Sequence, residues 1–450
     1  MTTRLLTWCL LAGLTPAGAA AQTGGIPAAR LTLEQAVQLA VEHNRQLGSA
    51  RLEIAKADDQ IAIARTRRLP SFSTEATASQ LLSPVSFAFP AGSFGEYAGI
   101  GPIPSVDTNI KVPRQPMMYL SSSVSQPLTQ LIKANIGIES AVAGRELETE
   151  RARATRLSLV NNVKRLYFAI LQTQSSLSAN AEALGLYREL DRTVQMRVAQ
   201  QVQLKGDGLE VQFRLAQEEL TRTTTLNALA SQKEQLNQLL GRDVRTAFEV
   251  ENVSAISVLD VDLDAAYRHA LDSRPEIRQA RLTLKQAEID RRLTHADRIP
   301  EVSAAVSYSS YFNMSVLPAN LATAGVQVKW EPFDWGRRGR ELSAKSRTIE
   351  QAQLAVRDAQ DRAVVDINTR FRALGEKRAL LRVAEMAQVA LREKVRVKTN
   401  HYQLQAAMLN DVLQLRSELA GSDDRYQQAL LAFWTAKADF ELAIGEDVIR

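Results

Sequence analysis

Histidine is the residue type in this chain with the widest chemical use, because imidazole ligates metals and acts as a general base near neutral pH. The four histidines, His43, His269, His295 and His401, are far apart in the sequence. The sequence contains no H-E-x-x-H, G-x-S-x-G or G-x-x-x-x-G-K-[ST] motif. We therefore expect each histidine to be a surface helix residue or a hairpin-tip residue, and we predict no enzyme activity, no metal site and no cofactor.

The charged residues give a slightly basic chain, with 55 Lys and Arg against 50 Asp and Glu and a net charge of +5. Both signs alternate along stretches that look helical, which is typical of solvated helix faces and predicts no nucleic-acid partner. The basic run Arg337, Arg338 and Arg340 follows an aromatic segment. It would meet anionic headgroups or neighbouring acids at a membrane, or simply be solvated.

The N-terminus has the pattern of an export signal over residues 1–21. Arg4 precedes the apolar run "LLTWCLLAGL", and an A-x-A site ends at Ala21. Ten apolar residues are too few for a membrane-spanning helix, which needs about 20. Cys9, the only cysteine, would leave with the signal, so we expect no disulfide in the exported chain. Residues 22–30 are predicted to be an N-terminal extension.

Two long stretches lack proline, one from Leu128 to Arg274 and one from Phe333 to Arg450. Since proline costs about 3 kcal/mol inside a helix, these stretches favour long helices. Apolar residues recur three, four or seven apart in both. We predict antiparallel helical hairpins over about 133–240 and 336–445. The first would turn at "KGDG", 205–208, and return from Leu209; the second would turn near "NHYQLQ", 400–405.

The chain is internally duplicated. The segment "LTLEQAVQLAVEHNRQLGSARLEIA" from Leu31 matches "VDLDAAYRHALDSRPEIRQARLTLK", which starts 230 residues later. Tyr167 with Phe371 and Gly241 with Gly445 match at an offset of 204, so the first copy has about 25 extra residues in a Pro/Gly/Ser-rich loop. We predict two structural repeats, 31–245 and 246–450, each with a helix, a strand pair and a helical hairpin.

The strand pairs are predicted at about 71–82 with 117–127, joined by a long loop, and at 301–312 with 323–332. One face of the second pair would carry Val302, Val306, Tyr308, Phe312, Val326, Val328 and Trp330, with Trp335 just beyond. The other face would carry Ser303, Ser307, Ser309, Gln327 and Lys329. This pattern fits either membrane strands, with a lipid face, an aromatic girdle and a lumen face, or a soluble half-buried hairpin. In the first pair Val124 is out of phase with its repeat partner.

Four strands per chain are too few to close a membrane barrel, which needs at least about eight. Two chains would give eight strands and an interior filled by side chains, whereas three chains would give twelve strands and a lumen. The strand count therefore favours a homotrimer. The predicted fold is mainly α with membrane β: long antiparallel helical hairpins forming a tunnel, joined to a barrel with four strands from each of three protomers.

Several ordered motifs resemble the outer-membrane efflux protein (TolC) family over about 31–445. They are "LTLEQAVQLAVEHNRQL", "LDAAYRHALDSRPEIRQAR", "SQPL", "EPFDWGRR" and "NDVLQLRSEL". The resemblance implies a homotrimer with a twelve-strand barrel in the outer membrane and a helical tunnel in the periplasm. It also implies a periplasmic adaptor and an inner-membrane pump of the RND, ABC or MFS type as partners, with outer-membrane lipid around the barrel.

The resemblance also assigns roles at the ends of the hairpins. The adaptor would contact the tips at Gly206, Asp207, Gly208, Tyr402 and Gln405. A periplasmic gate would involve Asp411, with Gln414 and Gln212 at positions related to an acidic ring. Asp411 has a simpler interpretation as a carboxylate placed at a helix N-terminus by the helix dipole.

The function implied is a passive exit duct of an efflux or type I secretion system, which conducts substrates from the pump to the exterior. The alternative is a periplasmic coiled-coil adaptor or scaffold of an envelope transport complex, although two hairpins and two strand pairs fit it less well. A secreted hydrolase lacks a catalytic constellation.

Overall fold

A computed structural model describes residues 29–202, 204–253, 262–313, 318–404, 406–407 and 409–446. The predicted signal, 1–21, lies outside these residues. The helices in this part of the chain are α1 (Leu33–His43), α2 (Arg45–Thr66), α3 (Gln130–Ala199), α4 (Lys205–Leu239), α5 (Leu263–Ser273), α6 (Pro275–Ala296), α7 (Arg337–Gln403) and α8 (Leu409–Ile444). The strands are β1 (Ala29–Leu31), β2 (Ser71–Gln80), β3 (Val85–Phe89), β4 (Glu96–Tyr97), β5 (Gly101–Pro102), β6 (Thr108–Val112), β7 (Pro116–Pro127), β8 (Phe248–Val250), β9 (Glu301–Phe312) and β10 (Asn320–Lys329).

The four long strands form one antiparallel sheet in the order β10-β9-β7-β2. Each strand continues a long helix: α2 leads into β2, β7 into α3, α6 into β9 and β10 into α7. The strand β10 ends at Lys329, so Trp330 and Pro332, which were predicted to be in the strand, lie beyond it.

A proline lies at each of these four strand–helix junctions. Pro70 and Pro300 precede β2 and β9, Pro127 is the last residue of β7, and Pro332 follows β10. Proline cannot donate a backbone hydrogen bond and is not tolerated inside a helix, so it stops both kinds of structure. The junction prolines therefore divide each chain segment into a strand part and a helix part.

The long helices pack side by side as a layer. Next to the sheet, α2 packs on α3, α3 on α6, and α6 on α7. Farther from the sheet, α4 packs on α3, α3 on α8, and α8 on α7. The helices α3, with 70 residues, and α7, with 67, are long enough to belong to both levels, since a residue adds about 1.5 Å to a helix.

Each repeat contains a short helix that was predicted as part of one continuous helix. The first helical region breaks at Asn44 and the second at Arg274, both with extended backbone angles. The side chain of Asn44 accepts hydrogen bonds from the backbone N–H groups of Gln46 and Leu47 and so caps α2. In the second repeat Pro275 opens α6, a position where its missing N–H costs no helix bond.

Tyr167 on α3 connects this helix to the ends of β1 and β8 by hydrogen bonds of its hydroxyl. Its hydroxyl lies 2.8 Å from the carbonyl oxygen of Leu31 and 2.7 Å from that of Glu251, and it accepts the Glu251 N–H at 3.0 Å. Leu31 ends β1, which pairs in parallel with β8. Tyr167 and Phe248 are almost fully buried in the same apolar cluster. The parallel pair was not predicted from the sequence.

The long loop predicted in the first strand pair is partly ordered as strand. Within it, β3 pairs with β6 and β4 pairs with β5, both antiparallel. The stretches "VSFAF" and "TNIKV" alternate like strands, but the surrounding Pro, Gly and Ser residues hide this pattern.

Candidate functional site

The sheet has one apolar and one polar face. The register pairs Val302 with Val328 and Ala304 with Val326, so the predicted apolar residues of the second strand pair lie on one face. Val306, Tyr308, Phe312, Val326 and Val328 are all exposed in the single chain. An exposed apolar face of this size needs a partner surface or lipid.

The first strand pair extends the same apolar face. Val124 lies opposite Val306 and Phe72, and Met118 lies opposite Phe312. Val124 is therefore in phase with the sheet. When Pro127 is aligned with Pro332, the repeat partner of Val124 is Lys329, which lies on the polar face, so the equivalent positions of the two repeats are on different faces of the sheet.

The opposite face is rich in serine. Ser303 pairs with Gln327, and the Ser307 hydroxyl lies 2.7 Å from that of Thr323. The first strand pair adds serines to this face, and the rings of Tyr119 and Tyr311 stack there with centroids 5.2 Å apart. The sequence predicted the serines of β9 but missed the tyrosine pair, which arises only when β7 lies beside β9.

The aromatic residues after β10 are exposed. Trp330, Phe333 and Trp335 are 60%, 67% and 90% exposed. Trp335 has a φ of 55°, which is strained for a residue with a side chain. Asp334 accepts the N–H groups of Arg338 and Gly336, and these bonds hold the pKa of its carboxyl below the usual range. The hydrogen bonds of Asp334 thus fix the start of α7 with the Trp335 side chain exposed.

The first hairpin turns earlier than predicted. The helix α4 starts at Lys205, so Gly206, Asp207 and Gly208 lie in its first turn and not in the connection. The turn is formed instead around Gln201, whose φ is 59°. Asp207 suits the first turn because the helix dipole favours a carboxylate there.

Gly208 marks close packing of the two helices of this hairpin. It is buried, and a Cβ at this position would lie 3.2 Å from Nε2 of Gln195 on α3. Gly206 has open space around it. Only one of the two glycines is therefore required by packing.

At the second hairpin, Tyr402 lies in the last turn of α7, which ends at Gln403. Gln405 falls outside the residues that the structure describes. Asp411 lies in the first turn of α8, and its Oδ2 is 2.9 Å from Nζ of Lys398 on α7. The sequence indicated the carboxylate of Asp411 but not its partner, because Lys398 comes close to it only when α7 packs against α8.

The other two predicted gate residues are exposed and lie apart. Gln414, one turn after Asp411, donates to Oε1 of Glu418 at 3.3 Å. Gln212 lies on α4. Since α4 and α8 pack on opposite sides of α3, one chain does not bring Gln212 to Asp411.

A groove runs along the layer formed by α3, α4, α7 and α8. Its volume is about 970 Å³. Arg165 lines it together with Phe168 and Leu431, which belong to the Tyr167 cluster, so the groove borders that cluster. Asp439 lies 3.9 Å from Arg165 and 3.5 Å from Arg370, and Arg370 lies 2.8 Å from Asp366. The groove thus combines apolar side chains with charged ones, and these charges are largely paired.

The four histidines are scattered over the structure. His43, His295 and His401 lie in the last turns of α1, α6 and α7, and His269 lies on α5. Among the described residues no group of three or more His, Cys, Asp or Glu is placed to hold a metal ion. No helix in this part of the chain is long and apolar enough to cross a membrane.

The chain belongs to the outer membrane efflux protein family. The family profile, described as "Outer membrane efflux protein", matches residues 36–242 and 266–446. The two matches agree with the internal duplication predicted from the sequence. The members of this family are transport channels and not enzymes. No curated protein sequence matches the chain.

Solved structures share the fold at low sequence identity. A membrane protein from Pseudomonas aeruginosa is 17% identical, with a TM-score of 0.73 over 93% of this chain and 91% of that one. The Campylobacter jejuni CmeC outer membrane channel is 15% identical, with a TM-score of 0.74 over 92% and 85%. The open state of the Neisseria gonorrhoeae MtrE outer membrane channel is 17% identical, with a TM-score of 0.69 over 92% and 89%. The predicted family and fold are confirmed.

Proposed function

We propose that this protein is the outer-membrane exit duct of a multi-component efflux or type I secretion system. Three copies form a twelve-strand barrel, and their helices continue it as a tunnel through the periplasm. The duct is passive. A periplasmic adaptor contacts the hairpin tips, and an inner-membrane pump of the RND, ABC or MFS type supplies the energy.

The observation that carries this proposal is the four-stranded sheet with two open edges. The outer strands, β2 and β10, each pair on one side only within the described chain. Unpaired backbone groups cannot remain in a membrane, so the edges need further strands. Three copies supply twelve strands, the smallest closed set of this chain that leaves a lumen.

The two faces of the sheet support the same arrangement. The face with Val306 and Val326 would meet lipid, and the face with Ser303, Ser307, Ser309, Gln327 and Lys329 would line the lumen. Trp330 and Trp335 would lie at the periplasmic interface, where amphipathic aromatic rings are favoured. The groove with Arg165 and Arg370 would continue the polar wall into the tunnel.

The hairpin ends would close the tunnel at rest. Asp411, bound to Lys398, would fix the second hairpin, with Gln414 and Gln212 beside the opening. Adaptor binding at the tips near Gly206 and Tyr402 would change the packing of the hairpins and widen the passage. Substrates then pass without chemical change.

Membrane fractionation with chemical crosslinking tests the proposal. We expect the full chain in the detergent-extracted outer membrane as a trimer that conducts ions in planar bilayers. A soluble periplasmic monomer would contradict it and would favour the coiled-coil adaptor instead.

A matched pair of variants tests the two faces of the sheet. Val306→Lys places a charge on the apolar face and should destabilise the inserted protein by about 2–4 kcal/mol, measured as a loss of membrane trimer. Ser307→Lys, on the polar face, should leave the amount of trimer nearly unchanged. Equal losses in both variants would reject the assignment of the faces.

A further inference from the structure

The four strand–helix junctions lie at one level and together form a band that we call the junction collar. Its segments are residues 65–72, 126–133, 296–302 and 329–341. The sheet register aligns them, since Ser71 pairs with Ser125, Pro127 with Ser303, and Lys329 with Glu301. The exposed apolar side chains and the charges of the four segments therefore lie at the same level and form one continuous band.

The collar is rich in exposed apolar and aromatic side chains. Leu69, Phe72, Leu128, Trp330, Phe333 and Trp335 are all exposed. The rings of Phe333 and Trp335 pack edge to face with centroids 4.8 Å apart. Exposed tryptophans beside the apolar face of the sheet are typical of the headgroup level of a membrane.

The collar also has an excess of positive charge. Its acidic residues are all paired: Asp297 and Glu301 with Lys133, Glu331 and Glu341 with Arg337, and Asp334 with Arg338. The arginines that remain have no carboxylate within ion-pair distance among the described residues. They are Arg65, Arg67, Arg68, Arg298 and Arg340, and all five are exposed.

These arginines lie at sheet edges as well as in its middle. Arg65, Arg67 and Arg68 precede the edge strand β2, and Arg340 follows the other edge strand, β10. If the sheet closes as in the proposed function, on which this step rests, the two edges of neighbouring copies meet. Like charges then gather at each meeting point, and an anion between them would offset their repulsion.

We propose that the junction collar binds the phosphate groups of anionic phospholipids in the leaflet that faces the helices. Guanidinium groups bind phosphate oxygens through paired, charge-assisted hydrogen bonds. Trp330 and Trp335 lie among the glycerol and headgroup atoms, and the acyl chains cover the apolar face that begins at Phe72 and Val328. The collar thus selects lipids and sets the depth of the protein.

Spin-label measurements on the full chain in vesicles test this site. The vesicles are phosphatidylcholine with a trace of spin-labelled phosphatidylglycerol or spin-labelled phosphatidylcholine, and the readout is the fraction of label immobilised by the protein. We expect phosphatidylglycerol to associate about threefold more strongly than phosphatidylcholine in low salt. The preference should fall towards one in 1 M salt, because salt screens exposed charges.

The triple variant Arg67→Gln, Arg68→Gln, Arg340→Gln should lose this preference. The matched control, Arg192→Gln, Arg222→Gln, Arg382→Gln, removes the same charge from exposed helix positions far from the sheet and should keep it. Equal association of the two lipids with the unmodified chain would overturn the proposal. A collar variant that keeps the lipid preference would also overturn the proposal. A collar variant that loses trimer without any change in lipid preference would overturn it too, because the arginines would then bind acidic residues of a neighbouring copy.

The conductance of the unmodified chain is recorded in the same preparation. A chain that conducts but shows no lipid preference refutes the lipid site and leaves the proposed duct intact. A chain that neither forms trimers nor conducts refutes the duct itself.

Discussion

In both repeats the last long helix ends at a glycine with a left-handed backbone, Gly241 with φ of 71° and Gly445 with φ of 75°. Each glycine packs against the helix break of its own repeat, but the contacts differ. A Cβ on Gly241 would lie 2.1 Å from the backbone oxygen of His43, whereas one on Gly445 would lie 3.1 Å from the side-chain oxygen of Ser273. The glycine is in contact with backbone in the first repeat, and with a side-chain hydroxyl that donates to the Ile444 carbonyl oxygen in the second.

Other equivalent positions differ in the same direction. Tyr167 connects the first repeat to β1 and β8 by buried hydrogen bonds, whereas its counterpart, Phe371, has no polar group to do so. Both hairpins also carry an ion pair between their two helices, Arg188 with Glu219 in the first and the partly buried Lys398 with Asp411 in the second. We infer that the first repeat is the rigid frame and that the second is the part that adjusts.

The sharpest test of this difference is Gly241→Ala against Gly445→Ala. The first change creates a backbone clash at a left-handed residue and should cost more than about 3 kcal/mol of unfolding free energy. The second should cost about 1–3 kcal/mol, because the Ser273 hydroxyl would have to shift from its hydrogen bond to the Ile444 carbonyl oxygen but no backbone atom would be in hard contact. Thermal unfolding in detergent measures both. Equal losses would remove the distinction between the repeats.

Tyr167→Phe should cost about 1–3 kcal/mol, because it removes the buried hydroxyl that lies within hydrogen-bond distance of the carbonyl oxygens of Leu31 and Glu251, although the Glu251 N–H still donates to the Leu31 carbonyl oxygen. The control in the second repeat is Tyr267→Phe, which removes one partly exposed hydrogen bond to Asn368 and should cost less. The difference between the two midpoints of unfolding is the measurement. A larger loss at Tyr267 would reverse the comparison.

The same tyrosine predicts a response to alkaline pH. Burial raises the pKa of Tyr167 to about 12, above the ordinary value of 10.0, so folding favours the neutral phenol. This contribution is fully present below pH 10 and is lost as the pH rises towards 12. The stability gap between the unmodified chain and Tyr167→Phe should therefore narrow over this range, and a constant gap would contradict it.

The partly exposed ion pair of Lys398 and Asp411 at the second hairpin should affect conduction more than stability. Asp411→Ala and Lys398→Ala should each change the unfolding free energy by less than about 1 kcal/mol. Both should raise single-channel conductance in planar bilayers, and the double variant should add little to either. Unchanged conductance in Asp411→Ala would remove this residue from the gate.

The smallest expected effect distinguishes the two glycines of the first tip. Gly206→Ala has open space and should stabilise α4 by up to about 1 kcal/mol, since alanine favours helix over glycine. Gly208→Ala should gain less, because its Cβ presses on Gln195. Urea unfolding of the two variants measures the difference. A larger gain at Gly208 would show that the first tip is not closely packed.

The sequence was most informative where a single residue type decides the local structure. The proline-free stretches, the alternating residues of β9 and the glycine pair at 241 and 445 all indicated elements that the structure contains. It was least informative where structure depends on distant packing. The Lys398 partner of Asp411 depends on how two helices align, and the turn at Gln201 contains no glycine, so "KGDG" was mistaken for it.

The junction prolines have one more consequence, for the sliding of strands. If β2, β9 or β10 slipped away from its helix by up to three residues, Pro70, Pro300 or Pro332 would have to enter the ladder, where it has no N–H to offer. Slippage in that direction is blocked at these three junctions, whereas Pro127 already pairs with Ser303 as the last residue of β7. These prolines limit the register of the strands. Because the register sets where the sheet lies relative to the helices, that position is fixed by the chain itself, before it binds lipid or a partner protein.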